Sequence, residues 1–96
     1  MSRSPLYRLR VSDDLAALIR GLHPELKRKV RKALTLIVEN PALGKPLKRE
    51  LAGLRSLRVN RFRIIYSLAE NREIQVIAIG PRDRIYLETA RMEKRE

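Results

Sequence analysis

Two runs of alternating apolar and polar residues, LRSLRV and FRIIYSL, constrain the fold of this chain more than any other feature. Two polar residues, Asn60 and Arg61, separate them. Period-2 alternation on both sides of a short break that contains Asn is typical of a β-hairpin. With Asn60 and Arg61 as the loop, Arg58 and Arg63 face each other on the side of the sheet opposite most of the apolar residues.

Two arginines that face each other across a hairpin repel, because like charges directly opposite one another destabilise neighbouring strands. This placement does not stabilise the hairpin unless an anionic group lies between the two side chains. Arg58 and Arg63 are therefore the first candidates for an anion-binding site. The alternative, equally open from periodicity alone, is that both guanidinium groups only solvate an exposed sheet face.

A second hairpin follows the first, and its loop is predicted to span the four residues 69–72. Such a loop pairs Leu68 with Glu73. This register places the small residue Ala78 beside Arg63 on the neighbouring strand.

Cations follow directly on the last predicted strand, which stops at Gly80 and Pro81. Arg82, Arg84 and Tyr86 come next, so we expect guanidinium groups and a phenol to converge on one end of the sheet. From the residues alone, the alternatives are a solvated turn at the two arginines and a tyrosine ring packed on the sheet edge.

The first half of the chain predicts one strand and two helices. Alternation over 6–11 favours a strand that joins the later sheet. Ser12 is a typical helix N-cap residue, and Pro24 is a typical first residue of a second helix. The Pro- and Gly-containing segment 40–47 predicts a surface connection. A last helix is expected after Tyr86.

Together these elements predict an α+β fold in a single domain, 1–96. We expect a two-helix hairpin packed on one face of a small antiparallel sheet, in the order β-α-α-β-β-β, followed by a C-terminal helix. The opposite face of the sheet, with Arg58 and Arg63, is expected to stay partly open.

Charge narrows the class of partner. The chain has 96 residues with 22 Lys and Arg against 11 Asp and Glu, a net charge of +11. Such an excess favours an anionic partner, with nucleic acid ahead of an acidic protein and a membrane last. The absence of cysteine excludes disulfides and thiolate chemistry. With no apolar run that spans a bilayer and no signal pattern, we expect a cytoplasmic protein.

The phrases LRSLRVNRFRIIYSL and VIAIGPRDRIYLETA, together with the order of elements, resemble the RelE/ParE superfamily of toxin–antitoxin toxins. The resemblance covers the chain from Leu6 to about Ala90 and implies a RelE-like fold. Within that superfamily, the RelE branch cuts messenger RNA in the ribosomal A site. The ParE branch poisons DNA gyrase and generally lacks the catalytic residues. Either branch implies a cognate antitoxin as partner, RelB-like for a RelE-type toxin.

The resemblance to RelE-type toxins implies a catalytic set made of Arg63, Arg82, Tyr86 and Arg58. Two lysines, one residue apart on the second strand, are also expected in such a toxin. By position they fall at Ser56 and Arg58, so one cation is kept and the other is missing.

The implied reaction is attack of a ribose 2′-OH on its own phosphate, without a metal or another cofactor. Arg58 and Arg63 would clamp the phosphate, because a guanidinium group offers a planar fork of donors. Arg82 would stabilise or protonate the leaving oxygen. Tyr86 would orient or accept the 2′ proton, since neighbouring positive charge lowers the pKa of a phenol. Such weak acid–base groups would need a partner such as the ribosome to align the RNA.

Other cations are predicted to contact RNA or the ribosome, and the remaining ring side chains are interpreted as structural. We expect His23 to be a helix-turn residue, Tyr66 to lie in the core and Tyr7 to have a structural role. Besides the endonuclease and the gyrase poison, a non-catalytic RNA-binding module stays open, because charge alone is enough for binding. The predicted RNA- or ribosome-binding residues are Arg55, Arg61, Arg84, Lys45, Lys48, Lys29 and Lys32.

Overall fold

The computed structural model describes residues 7–81. The predicted C-terminal helix therefore lies outside the described residues, as do three of the predicted site residues, Arg82, Arg84 and Tyr86.

Two helices form the first layer. Helix α1 spans Asp13–Arg20, and the Oγ of Ser12 accepts a hydrogen bond of 3.1 Å from the backbone N–H of Leu15. The predicted N-cap is confirmed, and the carboxylates of Asp13 and Asp14 lie in the first turn, where the helix dipole favours negative charge.

Helix α2 spans Pro24–Glu39, so Pro24 is its first residue, as predicted. The ring Nδ1 of His23 accepts a hydrogen bond of 3.4 Å from the backbone N–H of Glu25. His23 is thus the N-cap of α2, in agreement with its interpretation as a helix-turn residue. The buried face of α2 consists of Val30, Ala33, Leu34 and Ile37. Neither described helix is long and apolar enough to cross a membrane.

Five strands form the second layer, in the spatial order β1-β5-β4-β3-β2. The α+β fold with two helices on a sheet is confirmed, but the sheet is mixed, because β1 runs parallel to β5 at one edge. Alternation in a sequence predicts which face a residue occupies, and it carries no information on strand direction. The strands are β1 (Arg8–Arg10), β2 (Lys45–Pro46), β3 (Leu54–Val59), β4 (Phe62–Ala69) and β5 (Glu73–Pro81).

The first hairpin has the predicted register, since Val59 pairs with Phe62 and Arg58 with Arg63. Asn60 in its loop adopts a φ of 57°, in the left-handed region that Asn tolerates better than most residues.

The predicted register of the second hairpin is wrong. Ala69 pairs with Glu73, so the loop is one residue shorter than expected, and an irregularity between Ile65 and Tyr66 shifts the ladder by one more residue. The residue beside Arg63 is consequently Gly80 instead of Ala78. Periodicity does not reveal a bulge, because the extra residue interrupts the pattern only locally.

The core lies between the helices and one face of the sheet. Tyr66 is part of it, with no exposed surface, so its predicted place in the core is confirmed. Tyr7, which was expected to be structural, packs against the core half-buried. Its fully or nearly buried members are Ile19, Val30, Ala33, Leu34, Ile37, Val59, Ile64, Tyr66, Ile74, Val76 and Ile79.

The hydroxyl of Tyr66 fixes the segment that leads into the sheet. It donates to the carbonyl of Pro41 at 2.7 Å and accepts from the backbone N–H of Gly44 at 2.8 Å. The guanidinium group of Arg55 adds hydrogen bonds to the carbonyls of Ala42 and Gly44. We call this set the Tyr66 latch. Its segment is not the purely surface connection that was expected.

Gly44 is buried in the latch, and only a residue without a side chain fits there. A Cβ at this position would lie 2.6 Å from the Tyr66 hydroxyl oxygen and 3.1 Å from the carbonyl oxygen of Ser56. The first of these distances is shorter than atoms tolerate without movement. The glycine therefore allows the backbone to approach the phenol closely enough for a hydrogen bond.

We predict that Tyr66→Phe lowers the free energy of unfolding by about 1–3 kcal/mol, because the N–H of Gly44 and the carbonyl of Pro41 each lose a partner in a buried place. Urea unfolding monitored by circular dichroism measures this. Tyr7→Phe, which removes a hydroxyl from a half-buried side chain at the sheet edge, is the matched control. Equal unfolding midpoints for wild type and Tyr66→Phe would contradict the latch.

The latch also predicts a pH dependence. Burial raises the pKa of the Tyr66 hydroxyl above its ordinary value, and the Gly44 N–H and the charge of Arg55 only partly oppose this. The unfolded chain then loses this proton before the folded chain does. The free energy of unfolding should therefore fall as the pH rises above about 10. The fall should be shallower in Tyr66→Phe, which unfolding curves at several alkaline pH values measure.

Candidate nucleic-acid interface

The two faces of the sheet differ in what covers them. One packs on the helices, and the cross-strand pairs place Arg58 and Arg63 on the other. Lys45 pairs with Ser56 across β2 and β3, so alternation along β3 puts both on the same face as Arg58. We call this surface, which carries Lys45, Arg58 and Arg63, the cationic face.

The centre of the cationic face is a row of three paired positions, with Arg58 on β3, Arg63 on β4 and Gly80 on β5. Arg58 is exposed, whereas Arg63 is half-buried and its Nε atom is buried. Directly opposite residues on antiparallel strands have their Cβ atoms about 5 Å apart, so the two side chains begin close together on this face. Gly80, which is itself buried, adds no side chain beside Arg63.

The next row along the strands holds Lys45, Ser56, Ile65 and Ala78. Lys45 is exposed at the β2 end of this row. Ser56, which takes the place of an expected lysine, is only 3% exposed. The cation of this row is therefore Lys45, which lies on β2 beside Ser56 of β3.

A small apolar cluster packs on the same side of the sheet as the cationic face. Ile65 has no exposed surface, and Leu54 and Ala78 are each 7% exposed. Alternation along β4 places Ile65 on the same face as Arg63, and this pattern does not predict a second apolar cluster. Because its neighbours are packed, the sheet presents the arginines from a fixed backbone. The partly buried residues that complete the cluster are Leu47, Leu51 and Ile77.

Arg55 points to the helical side, where its guanidinium group takes part in the Tyr66 latch. It is not brought together with Arg58, in keeping with the alternation of β3. Lys48 is exposed in the connection between β2 and β3, close to Lys45 along the chain. Its predicted contact with RNA stays a prediction.

The two helical lysines do not join the cationic face. Lys29 and Lys32 are exposed on α2, which covers the opposite side of the sheet. Lys29 instead lines a cleft of about 610 Å³ together with Arg61 from the first hairpin loop. A partner that contacts all the predicted cations would have to wrap around the end of the sheet where this loop lies.

Three predicted site residues, Arg82, Arg84 and Tyr86, lie outside the described residues. In the sequence, Arg82 is the second residue after Gly80. Gly80 itself pairs with Arg63.

The chain matches one protein family and a group of solved structures. The matching family is the ParE toxin of the type II toxin–antitoxin system parDE, and the match covers residues 6–86. A search of curated protein sequences finds no match.

Among solved structures, the toxin–antitoxin complex RelBE2 from Mycobacterium tuberculosis contains a chain that is 26% identical. The alignment covers 79% of this chain and 98% of that one, with a TM-score of 0.68. A mutant of E. coli toxin RelE in the free state is 15% identical, with 93% and 97% covered and a TM-score of 0.72. The YoeB–YefM complex from Staphylococcus aureus contains a chain that is 21% identical, with 79% and 97% covered and a TM-score of 0.65.

The opposed arginines predict a separation of stability from binding. Replacing Arg58 by Gln removes one like-charge contact, so the free energy of unfolding should stay equal or rise by about 0.2–1 kcal/mol. The same change should weaken RNA binding and reduce the slope of log affinity against log salt by about 0.7 for a single strand.

Urea unfolding and fluorescence anisotropy with a short labelled RNA measure the two effects. Arg20→Gln on α1, which removes the same charge on the helical side, should leave the affinity nearly unchanged. A marked loss of stability in Arg58→Gln would show that Arg58 has a structural role instead.

Proposed function

The chain belongs to the ParE toxin family of type II toxin–antitoxin systems, within the RelE/ParE superfamily, and we propose that it is a ribosome-dependent endoribonuclease of the RelE kind. It would cut messenger RNA in the A site and so inhibit translation. Its place of action would be the cytoplasm.

The observation that carries this proposal is the direct pairing of Arg58 with Arg63 on the cationic face. A phosphate between them would accept hydrogen bonds from both guanidinium groups and offset their repulsion. The paired arginines therefore favour a phosphodiester substrate.

In the proposed reaction, a ribose 2′ oxygen attacks the adjacent phosphorus and the bond from phosphorus to the 5′ oxygen breaks. Arg58 and Arg63 stabilise the extra negative charge that develops on the phosphorane. A preorganised donor of this kind contributes about 3–4 kcal/mol, by analogy with oxyanion holes. The products are a 2′,3′-cyclic phosphate and a 5′ hydroxyl.

Two proton transfers complete the reaction. Tyr86 would accept or orient the proton of the 2′-OH, and Arg82 would stabilise the leaving 5′ oxygen or supply its proton. His23, the single histidine, caps α2, and the proposal gives it neither step.

Ribosome dependence follows from the weakness of these groups. Arginine and tyrosine transfer protons poorly at neutral pH, so most of the acceleration has to come from positioning the RNA for in-line attack. The ribosome would hold the message in that geometry. The reaction needs no metal, because the arginines already supply the positive charge.

A second candidate function is inhibition of DNA gyrase. Two observations favour it: the matching family is described as the ParE toxin, and Ser56 stands where a RelE-type toxin is expected to have a lysine. In this case the cationic face would contact gyrase or its DNA without cutting RNA.

Either function requires an antitoxin to protect the host. The matched structures include RelBE and YoeB–YefM complexes. We expect a small antitoxin, RelB-like in chemistry, that covers the cationic face or holds the chain in an inactive form.

The proposal predicts ribosome-dependent cuts that disappear in two variants. Primer extension on a reporter message in a purified translation system should show cleavage within A-site codons with wild type. Arg82→Ala and Tyr86→Phe should each reduce cleavage by at least about a hundredfold, the range that general acid–base groups contribute. The cleavage step should not depend on a metal ion bound to the toxin.

Arg20→Gln is the control, because it lies on α1 away from the proposed site. Intact message in the presence of ribosomes, together with accumulated gyrase–DNA cleavage complexes, would rule out the endonuclease and favour gyrase inhibition. Cleavage that persists in Tyr86→Phe would leave the reaction but remove Tyr86 from it.

A further inference from the structure

We infer that the cleft between helix α2 and the loop of the first hairpin is a docking site for a partner protein. It takes an acidic segment that carries an aliphatic side chain beside its carboxylates. The inference rests on the proposed function, because the partner is the antitoxin that such a toxin requires. It places one contact of that partner away from the cationic face.

The apolar part of the cleft consists of Leu26 on α2 and Phe62 at the start of β4. Both side chains are half-buried and pack against the main core. Core packing holds them in place, so this part of the cleft is formed before a ligand binds. With a volume of about 610 Å³, the cleft lies within the range of ligand sites and has room for an aliphatic side chain.

The rim of the cleft consists of exposed polar side chains. Lys29 on α2 and Arg61 in the hairpin loop supply two cations. Asn60 adds an amide, and the Nδ1 of His23 accepts from the backbone N–H of Glu25, so the hydrogen of the neutral ring is on Nε2. Helix α2 also begins here, which adds the positive end of its dipole. The rim therefore favours an anionic ligand.

The one carboxylate that lines the cleft does not cancel this preference. Glu25 is paired with Arg28, whose Nη2 lies 3.7 Å from its Oε2. No ion pair between the described residues 7–81 involves Lys29 or Arg61, so both charges are available to a ligand. The net charge of +11 attracts an acidic partner from a distance.

The structure favours a protein segment over RNA at this place. Unpaired RNA bases stack on exposed aromatic faces, whereas the aromatic rings within residues 7–81, those of Tyr7, Phe62 and Tyr66, are all buried or half-buried. Lys29 lies on α2, across the sheet from the cationic face, so an RNA strand would have to leave that face to reach it. An aliphatic side chain with flanking carboxylates uses both the apolar part and the rim.

The test is a titration of the isotope-labelled full-length chain with a short synthetic peptide, followed through amide chemical shifts in two-dimensional NMR spectra. The peptide carries one leucine flanked by aspartates and glutamates. We expect larger shifts at the amides of Leu26, Lys29 and Arg61 than at those of Arg58 and Arg63. A peptide with serine for the leucine, and another with amides for the carboxylates, should each bind more weakly, because each matches only one part of the cleft.

Variants of the rim provide a second arm. Lys29→Gln combined with Arg61→Gln should weaken peptide binding by about fivefold, as expected for two partly exposed ion pairs. Both side chains are exposed, so this variant keeps the fold. Arg8→Gln combined with Arg20→Gln removes the same charge elsewhere and should leave the affinity nearly unchanged. An equal loss in both double variants would show unspecific attraction and overturn the inference.

A parallel titration with a short single-stranded RNA separates this inference from the proposed function. RNA should shift the amides of Arg58 and Arg63 and leave those of the cleft unchanged. If RNA does so and the peptide does not shift the cleft amides, the docking site is wrong, although RNA binding stands. Cleft shifts with RNA and none with the peptide would also overturn it. Peptide shifts in the cleft that only the rim variant weakens support the inference even if RNA shifts no amide.

Discussion

The burial of strand β4 on both of its faces is the constraint on which the rest of the structure depends. Ile64, Ile65 and Tyr66 follow one another and all have no exposed surface. Ile64 and Tyr66 pack towards the helices, and Ile65 packs in the smaller cluster on the opposite side. Full burial of each such side chain contributes about 1.5–3 kcal/mol, so a slip of the strand by one residue would disrupt both clusters together. Arg63, which directly precedes this run, is placed by packing that has nothing to do with its charge.

This packing explains why Arg58 and Arg63 stay opposite each other although their charges repel. The repulsion between Arg58 and Arg63 is of the order of 0.2–1 kcal/mol, whereas a register slip would lose several buried side chains. The hydrophobic term is the larger, so the sheet keeps its register and the charges stay opposed. Under the proposed function, a phosphate would bind here without any rearrangement of the backbone, which is the condition for electrostatic preorganisation.

The sequence predicted the first hairpin in full because its two-residue loop leaves a single register for the apolar pattern. The second hairpin was harder, since its loop and the irregularity at Ile65 and Tyr66 each displaced the ladder by one residue. Both errors have the same sign, and together they put Gly80 instead of Ala78 beside Arg63. The face assignments of Arg58, Arg63 and Arg55 did not suffer, because alternation within β3 and within the first part of β4 is unbroken. The parallel pairing of β1 was likewise beyond a pattern that contains no direction.

Lys45 shows where prediction from the sequence had to stop. Strand β2 has only two residues, one of them Pro46, and so short a segment has no period from which a face can be assigned. Its place at the edge of the sheet is set from a distance, by Tyr66 and Arg55 on the strands that follow. Tertiary hydrogen bonds here override a local sequence of proline and glycine that favours a loop. The same phenol that belongs to the core thereby determines which side of the sheet receives the last cation, so the stability of this fold and the charge of its candidate site are coupled through one side chain.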